Sequence, residues 1–431
     1  VLWLLAALLV LTATVRLPDA GAWLGVKAFA LEAGGILLAL WVLSRGEWTR
    51  ERVQAAFLAA PNVAILLFLA WVGLSAALSQ YPEYSRADAM RHLGGGLVYF
   101  AIVYGVSPRQ HLERFSLALA LTGGLSALIA FANVIGDENA RISGAYHNEQ
   151  LLAGVLLLLA PVVLMASRAD EEPWRRNAGL VAAVLMAIGI VVTQNRSAWG
   201  GTAAALLLMG VLSARYRKGA SGQGLQKHTV AAALLVMAAA VGLFLGLSRM
   251  GSALSYRADS LTVLNQTESY RWRAGMWIKA FRMARDRPVL GWGVGTFPIN
   301  QALYYHPDAP SLSQRAIIRR GPSLWENAHN TYLTLAAELG FTGLALYLGI
   351  LGAFFVTGVK ALKRGRRGIR QAVLIGCMAA IAGQMVSGIG NPAWEYAQCS
   401  LFFWTVFGLG MAAAGLGDRG RELPTGARPE K

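Results

Sequence analysis

Charge is scarce in this 431-residue chain. Asp, Glu, Lys and Arg make up 14% of it, against about 25% in soluble domains. That is too little to clothe a soluble surface, so a soluble globular fold is excluded. Cysteine is nearly missing. Cys377 and Cys399 are the only two, too few for a disulfide framework and without metal-site spacing. Both fall in or near late apolar segments and read as buried apolar residues. There is no D-x-D run for a metal–diphosphate site, no H-x-x-x-H and no C-x-x-C. Hence the chemistry is expected to run without a metal and without a cofactor.

What the chain does have is apolar length. Apolar residues make up 55%, and mean hydropathy is +0.46. The pattern predicts about twelve transmembrane helices, at roughly 1–17, 22–44, 61–79, 92–106, 112–135, 150–167, 178–194, 198–214, 229–247, 330–358, 371–390 and 397–416. Each comes near the ~20 residues that a bilayer demands. The expected fold is therefore an all-α polytopic integral membrane protein with one long outer loop. Spans one to nine occupy 1–247, the loop 248–329, spans ten to twelve 330–416, and a cytoplasmic tail 417–431. The apolar stretch Val1–Val15 has no basic flank, a weak match to a secretory signal, and is counted as the first span.

The net charge of +16 suggests a nucleic-acid partner until its distribution is examined. Loops after even-numbered spans hold 18 Lys and Arg, and short loops after odd-numbered spans hold 5. This asymmetry places the even loops and both termini in the cytoplasm. Most of the charge is thus a topology signal, and no nucleic-acid partner is expected. Residues 248–329 depart from the pattern, with eleven Lys and Arg against five Asp and Glu. A basic surface beside the outer leaflet suits an anionic partner such as a lipid phosphate; a merely solvated basic face is the alternative. Within the loop, 269–286 reads as an amphipathic helix. Tyr270, Trp277, Phe281 and Ala284 share one face, and Arg271, Arg282 and Arg285 another. Such a helix suits the membrane interface or the roof of a cavity.

Four places on the outer side carry groups able to do chemistry. Arg196 stands in TQNRSAWGG, in a short turn between two spans, where an arginine is costly unless it faces water, a cavity or an anion. Arg273 and Arg271 open the loop helix. His329 stands in WENAHNTYLTLAAELGFTGL at 325–344, at a polar–apolar boundary where a histidine can titrate near neutral pH. Arg141 opens RISGAYHNEQLLAG, which also carries His147. Arginines gathered with a histidine at one membrane face suit a diphosphate and the deprotonation of a hydroxyl. Taken singly, each also reads as a snorkelling arginine or a helix-capping histidine. GWGVGTF at 291–297 lacks the G-x-G-x-x-G pattern and reads as a tight turn.

These pieces in combination resemble the bacterial O-antigen ligase family, within the wider O-antigen ligase/polymerase superfamily. The matching residues are NRSAW at 195–199, Arg273 with Trp277, RPVLGWGVGTF at 287–297 and NAHNTYLTLAAELGFTGL at 327–344. RISGAYHNEQLLAG is a weaker match. Where the family often shows an N-P-N-like run, this chain has His147, Asn148, Glu149 and Gln150.

The resemblance implies a glycosyltransferase in the bacterial inner membrane, with its site and long loop on the periplasmic face. Its donor would be O-antigen polysaccharide on undecaprenyl diphosphate. Its acceptor would be a sugar hydroxyl of lipid A–core, in lipopolysaccharide maturation. His329, Arg196 and Arg273 would be the catalytic residues. Arg271, Arg141 and Arg319 would meet donor or acceptor phosphates, and Asn330 and Tyr332 would complete substrate binding. An O-antigen polymerase of the same superfamily, using the same donor and a second lipid-linked glycan, is the nearest alternative. A lipid-glycan flippase is the alternative of another class, but transporters place charges at mid-membrane and often show internal repeats, whereas the notable charges here lie at one face.

Overall fold

The computed structural model describes residues 58–105, 109–132, 148–216, 268–310, 313–320 and 327–418, with isolated residues between 33 and 57. The expected spans at 1–17 and 229–247, most of 22–44, Arg141 and His147 lie outside the described residues. Every element among the described residues is helical. The longer helices are α1 (Ala60–Ala77), α2 (Pro82–Gly105), α3 (Arg109–Ala132), α4 (Glu149–Ala169), α5 (Pro173–Val192), α6 (Arg196–Tyr216), α7 (Glu268–Asp286), α8 (Thr331–Lys363), α9 (Gly368–Ser387) and α10 (Ala397–Ala413).

Seven helices among the described residues are long and apolar enough to cross a membrane: α1, α3, α4, α5, α6, α8 and α9. α10 is apolar but shorter. The expected fourth span at 92–106 in fact starts at Pro82, so its first turns carry Asp88, Arg91 and His92. The chain is a multi-pass membrane protein.

α4 is apolar all round, and such a helix finds no face to give to water. It accordingly sits in the centre, with Leu151–Leu159 wholly buried, against α3, α5, α9 and α10. α6 packs on α9 where Gly201 faces Gly383. A Cβ on Gly201 would lie 2.5 Å from the Gly383 carbonyl oxygen, so only small residues allow this backbone approach. α1 and α2 are clamped by Asn62, which donates to the Tyr104 hydroxyl at 2.8 Å and accepts from the Tyr99 hydroxyl at 2.6 Å. Leu67, Val181, Leu207 and Val211 point outward, as lipid-facing residues do.

α8 is broken. Gly340 adopts φ 70° and ψ 177° inside it, which frees backbone groups on both sides of the break. The expected tight turn at 291–297 fills the gap. Trp292 and Gly293 donate their backbone N–H groups to the carbonyls of Ala337 and Glu338, at 3.0 and 2.9 Å. The Trp71 indole takes the Leu339 carbonyl at 3.0 Å, and Phe341 N–H donates to the Pro288 carbonyl at 2.8 Å. The Glu338 carboxylate in turn accepts from Gly295 N–H at 2.9 Å and Phe297 N–H at 2.8 Å. Irregular backbone within an apolar helix is tolerated where protein groups satisfy it in this way. RPVLGWGVGTF is therefore more than a turn, since it splints the break.

α7 confirms the expected helix at 269–286. Met276, Ala280, Met283 and Ala284 are buried, Trp277 is half-buried, and Tyr270 and Phe281 are exposed, as are Arg271, Arg282 and Arg285. Lys279, expected on a basic surface, is fully buried and donates to the Gln301 side-chain oxygen at 2.9 Å.

Candidate active site at one end of the bundle

Two asparagines shape the turn that carries His329. Asn327 accepts the His329 backbone N–H at 3.0 Å, a local bond that competes with continued helix. Asn330 caps α8, accepting from Tyr332 and Leu333 N–H groups, both at 3.0 Å. Between them His329 takes a left-handed φ of 49°. Its ring meets the edge of Trp272 at 5.2 Å between centroids. Its Nδ1 is buried, with no hydrogen-bond partner among the described residues. Burial, and then the adjacent Arg273 guanidinium, hold the imidazole down at about 4. The expectation of titration near neutral pH is thereby corrected: this histidine is neutral at pH 7. Both causes disfavour the charged form, burial by removing water and Arg273 by like charge.

NRSAW builds the second wall. Asn195 accepts the Ala198 N–H at 3.1 Å and so caps α6. The Trp199 indole donates to the Ile190 carbonyl at 3.2 Å, pinning the first turn of α6 to the last of α5. Gln194 closes the turn with φ 55°. Arg196 is thereby held, half-buried, at the first position of α6.

A segment that sequence reasoning missed joins the two walls. Between α9 and α10, residues 388–396 run as GIGNPAWEY. The Gly388 carbonyl accepts Thr331 N–H at 2.9 Å, at the start of α8. The Gly390 carbonyl accepts from Arg273 at 3.4 Å. Gly390 also abuts Ser197, next to Arg196, since a Cβ there would lie 2.5 Å from Ser197 Oγ. Asn391 donates to the Gln150 carbonyl at 3.2 Å. The Tyr396 hydroxyl is hydrogen-bonded to Asn327 and Asn148, and burial pushes it up to about 12. One loop thus ties His329, Arg273, the Arg196 turn and the capped start of α4 into one end of the bundle. The sequence signal was available as the six residues NPAWEY at 391–396, wedged between two apolar runs.

Beneath this loop lies a second polar cluster that sequence reasoning also missed. Arg91 pairs with Asp88 at 2.7 Å and donates to the Trp394 carbonyl at 2.8 Å. Arg91, one of the five cations between odd- and even-numbered spans, is thus buried. Burial pushes the Glu395 carboxyl up to about 8, and the nearby Asp88 adds to the rise.

The remaining expected binding residues are placed differently. Arg271 pairs with Asp308 and is largely exposed. Arg319 is exposed on the short helix Gln314–Arg320. Asn330 is the α8 cap, and the Tyr332 hydroxyl donates to the Met385 carbonyl at 2.7 Å, so both fasten the histidine turn to the bundle. At the opposite end, Arg366 donates to the Ala414 carbonyl at 3.2 Å and Arg175 pairs with Asp170 at 3.3 Å.

No curated protein matches the sequence. A family model does, described as O-Antigen ligase, over residues 181–348. That stretch includes Arg196, Arg273 and His329, and ends short of the 388–396 loop. The segment that carries all three side chains is thus the part of the chain similar to the O-antigen ligase family.

Proposed function

We propose that the chain is an O-antigen ligase, transferring O-antigen polysaccharide from undecaprenyl diphosphate to a sugar hydroxyl of lipid A–core. The reading rests on one observation above all: His329, Arg273 and the Arg196 turn meet at one end of the bundle through Gly390. The Lys/Arg asymmetry between loops supports a periplasmic position for that end, in the bacterial inner membrane.

In this mechanism the acceptor hydroxyl attacks the anomeric carbon and displaces the diphosphate with inversion. The carbon–oxygen bond to the acceptor forms as the bond to the diphosphate breaks. His329, neutral at working pH, takes the hydroxyl proton. Arg196 and Arg273 meet the charge that develops on the departing diphosphate. The donor also prepares the base, because its negative charge beside Arg273 offsets the field that keeps the imidazole weakly basic. The arginines supply the positive charge that metals supply in other diphosphate chemistry, so transfer should persist in EDTA.

The test uses membranes without their own ligase activity. His329→Ala and Arg273→Gln should each abolish glycan attachment to lipid A–core, at unchanged protein level and unchanged helix content. Full attachment by either variant would overturn the assignment.

A further inference from the structure

The 388–396 loop joins α9 to α10 with irregular backbone, so its carbonyls need partners inside the protein. Those of Gly388 and Gly390 take Thr331 N–H and Arg273 at the site. A third, on Trp394, takes Arg91 Nη1 of α2 at 2.8 Å. The same guanidinium holds Asp88, one turn earlier on α2, through Nε and Nη2, both at 2.7 Å. Its Nη2 also lies 3.2 Å from His92 Nε2. Asp88 thus fixes the plane of the fork, and the fork fixes the loop. The Trp394 ring packs beside it, 5.0 Å from the His92 ring and 4.7 Å from that of Tyr347 on α8, between centroids.

This ion pair is a poor device for stability alone. Arg91 is 8% exposed, and taking two charges out of water costs about as much as their attraction returns, so well-packed apolar residues would hold the helices as well. What a buried arginine adds is direction. Its planar fork meets a carboxylate with one edge and a single backbone carbonyl with another. The same stretch of α2 also backs the splint of α8. A Cβ on Gly295 would lie 2.7 Å from Asp88 Cβ, and Ser85 Oγ donates to the Val294 carbonyl at 2.8 Å. One stretch of α2 therefore bears both on the loop that holds Arg273 and on the segment that fills the break in α8.

We propose that Arg91, set by Asp88, is a positioning residue for transfer: through the Trp394 carbonyl it fixes the 388–396 loop, and through the Gly390 carbonyl the loop fixes Arg273 beside His329. Arg91 acts from beneath the loop and not on the reacting atoms. The role rests on the functional reading above for its reaction, but the place of Arg273 can be read without any transfer. Arg273 of α7 is the charged group that bears on the His329 ring. Tyr396, which the loop brings to the histidine turn, is kept neutral at pH 7 by burial. A loop released from Arg91 lets Arg273 draw away, and the imidazole then rises from about 4 towards 6.5.

The test uses the full chain in nanodiscs with carbon-13-labelled histidine. An NMR titration follows the His329 ring, whose signal among the six histidines is assigned by its loss in His329→Ala. Replacing the pair together, Asp88→Asn with Arg91→Met, should leave the unfolding midpoint close to wild type. It should move the His329 titration upward and cut transfer by about 10²-fold. Arg91→Lys keeps the charge without the fork and should move both in the same direction, less far; it is the variant read if the pair variant does not fold. Asp170→Asn with Arg175→Met removes an ion pair at the opposite end of the bundle and should change neither. An unmoved His329 titration in the folded variant, or lost transfer without that movement, would overturn the proposal. If wild type transfers no glycan while the His329 titration moves as expected, the ligase reading fails and the hold of Arg91 on the loop stands.

Discussion

Gly340→Ala should damage this protein far more than a single methyl group suggests. Gly340 holds φ 70° with ψ 177°, a region that is essentially closed to residues with a Cβ and costs about 1–3 kcal/mol when forced. The added Cβ would lie 2.1 Å from the Val289 carbonyl oxygen and 2.4 Å from its carbon. Both are backbone atoms, so no side-chain rotation relieves the clash. The 288–290 segment must move, and with it the Pro288 carbonyl that accepts Phe341 N–H at 2.8 Å. Losing that bond adds about 0.5–1.5 kcal/mol. The sum is about 1.5–4.5 kcal/mol. Gly349 is the matched control: it lies further along α8, and a Cβ there meets nothing within 4 Å. Gly349→Ala should be neutral or stabilising by about 0.5–1 kcal/mol, as for glycine in a helix interior. Unfolding of both variants in the same detergent, followed by tryptophan fluorescence, gives the comparison. If the two variants agree within about 1 kcal/mol, the break does not constrain α8 as described.

The pH dependence of transfer follows from His329. Its folded value of about 4 lies below the ordinary 6.5, so the acid limb of kcat/KM in the free enzyme should lie near pH 4, and a limb near 6.5 would refute it. The sign for stability is the same. Above 6.5 the group costs nothing; as pH falls from 6.5 towards 4 the unfolded chain binds a proton that the fold does not, and stability is lost across that window. Arg273→Lys keeps the charge but loses the guanidinium fork. Transfer should fall by about 10²-fold with the acid limb still low, and wild-type rates from that variant would remove the fork from the mechanism. Glu338→Ala strands the buried N–H of Phe297, at about 1–3 kcal/mol, and the part-buried N–H of Gly295. Glu338→Gln keeps one acceptor and should cost about half as much; equal unfolding midpoints for Glu338→Ala and wild type would contradict the splint.

Much of the helix plan was legible because lipid allows few solutions: apolar runs of sufficient length read as spans, and α4, apolar on every side, reads as central. The motif segments were legible as well, since Arg196, Arg273 and His329 stand beside unusual polar residues at helix ends. The break at Gly340 was not. In a chain with 48 glycines, one more inside an apolar run says nothing about its φ until Pro288 and Trp292 are seen against it. Glu338 gives no signal for the same reason, because its partners Gly295 and Phe297 stand more than forty positions away. Of the 388–396 loop, 388–390 fall inside an expected span and 391–396 between two, and the loop acts through backbone carbonyls, which leave no trace in residue type.

The most direct measurement is reconstituted transfer. Purified protein would receive a glycan on undecaprenyl diphosphate, with either lipid A–core or a second lipid-linked glycan as acceptor, in EDTA, beside the His329→Ala variant. A ligase working through His329 will shift lipid A–core by the mass of the glycan, and the variant will not. Elongation of the lipid-linked glycan alone, or an equal shift by the variant, would contradict that mechanism.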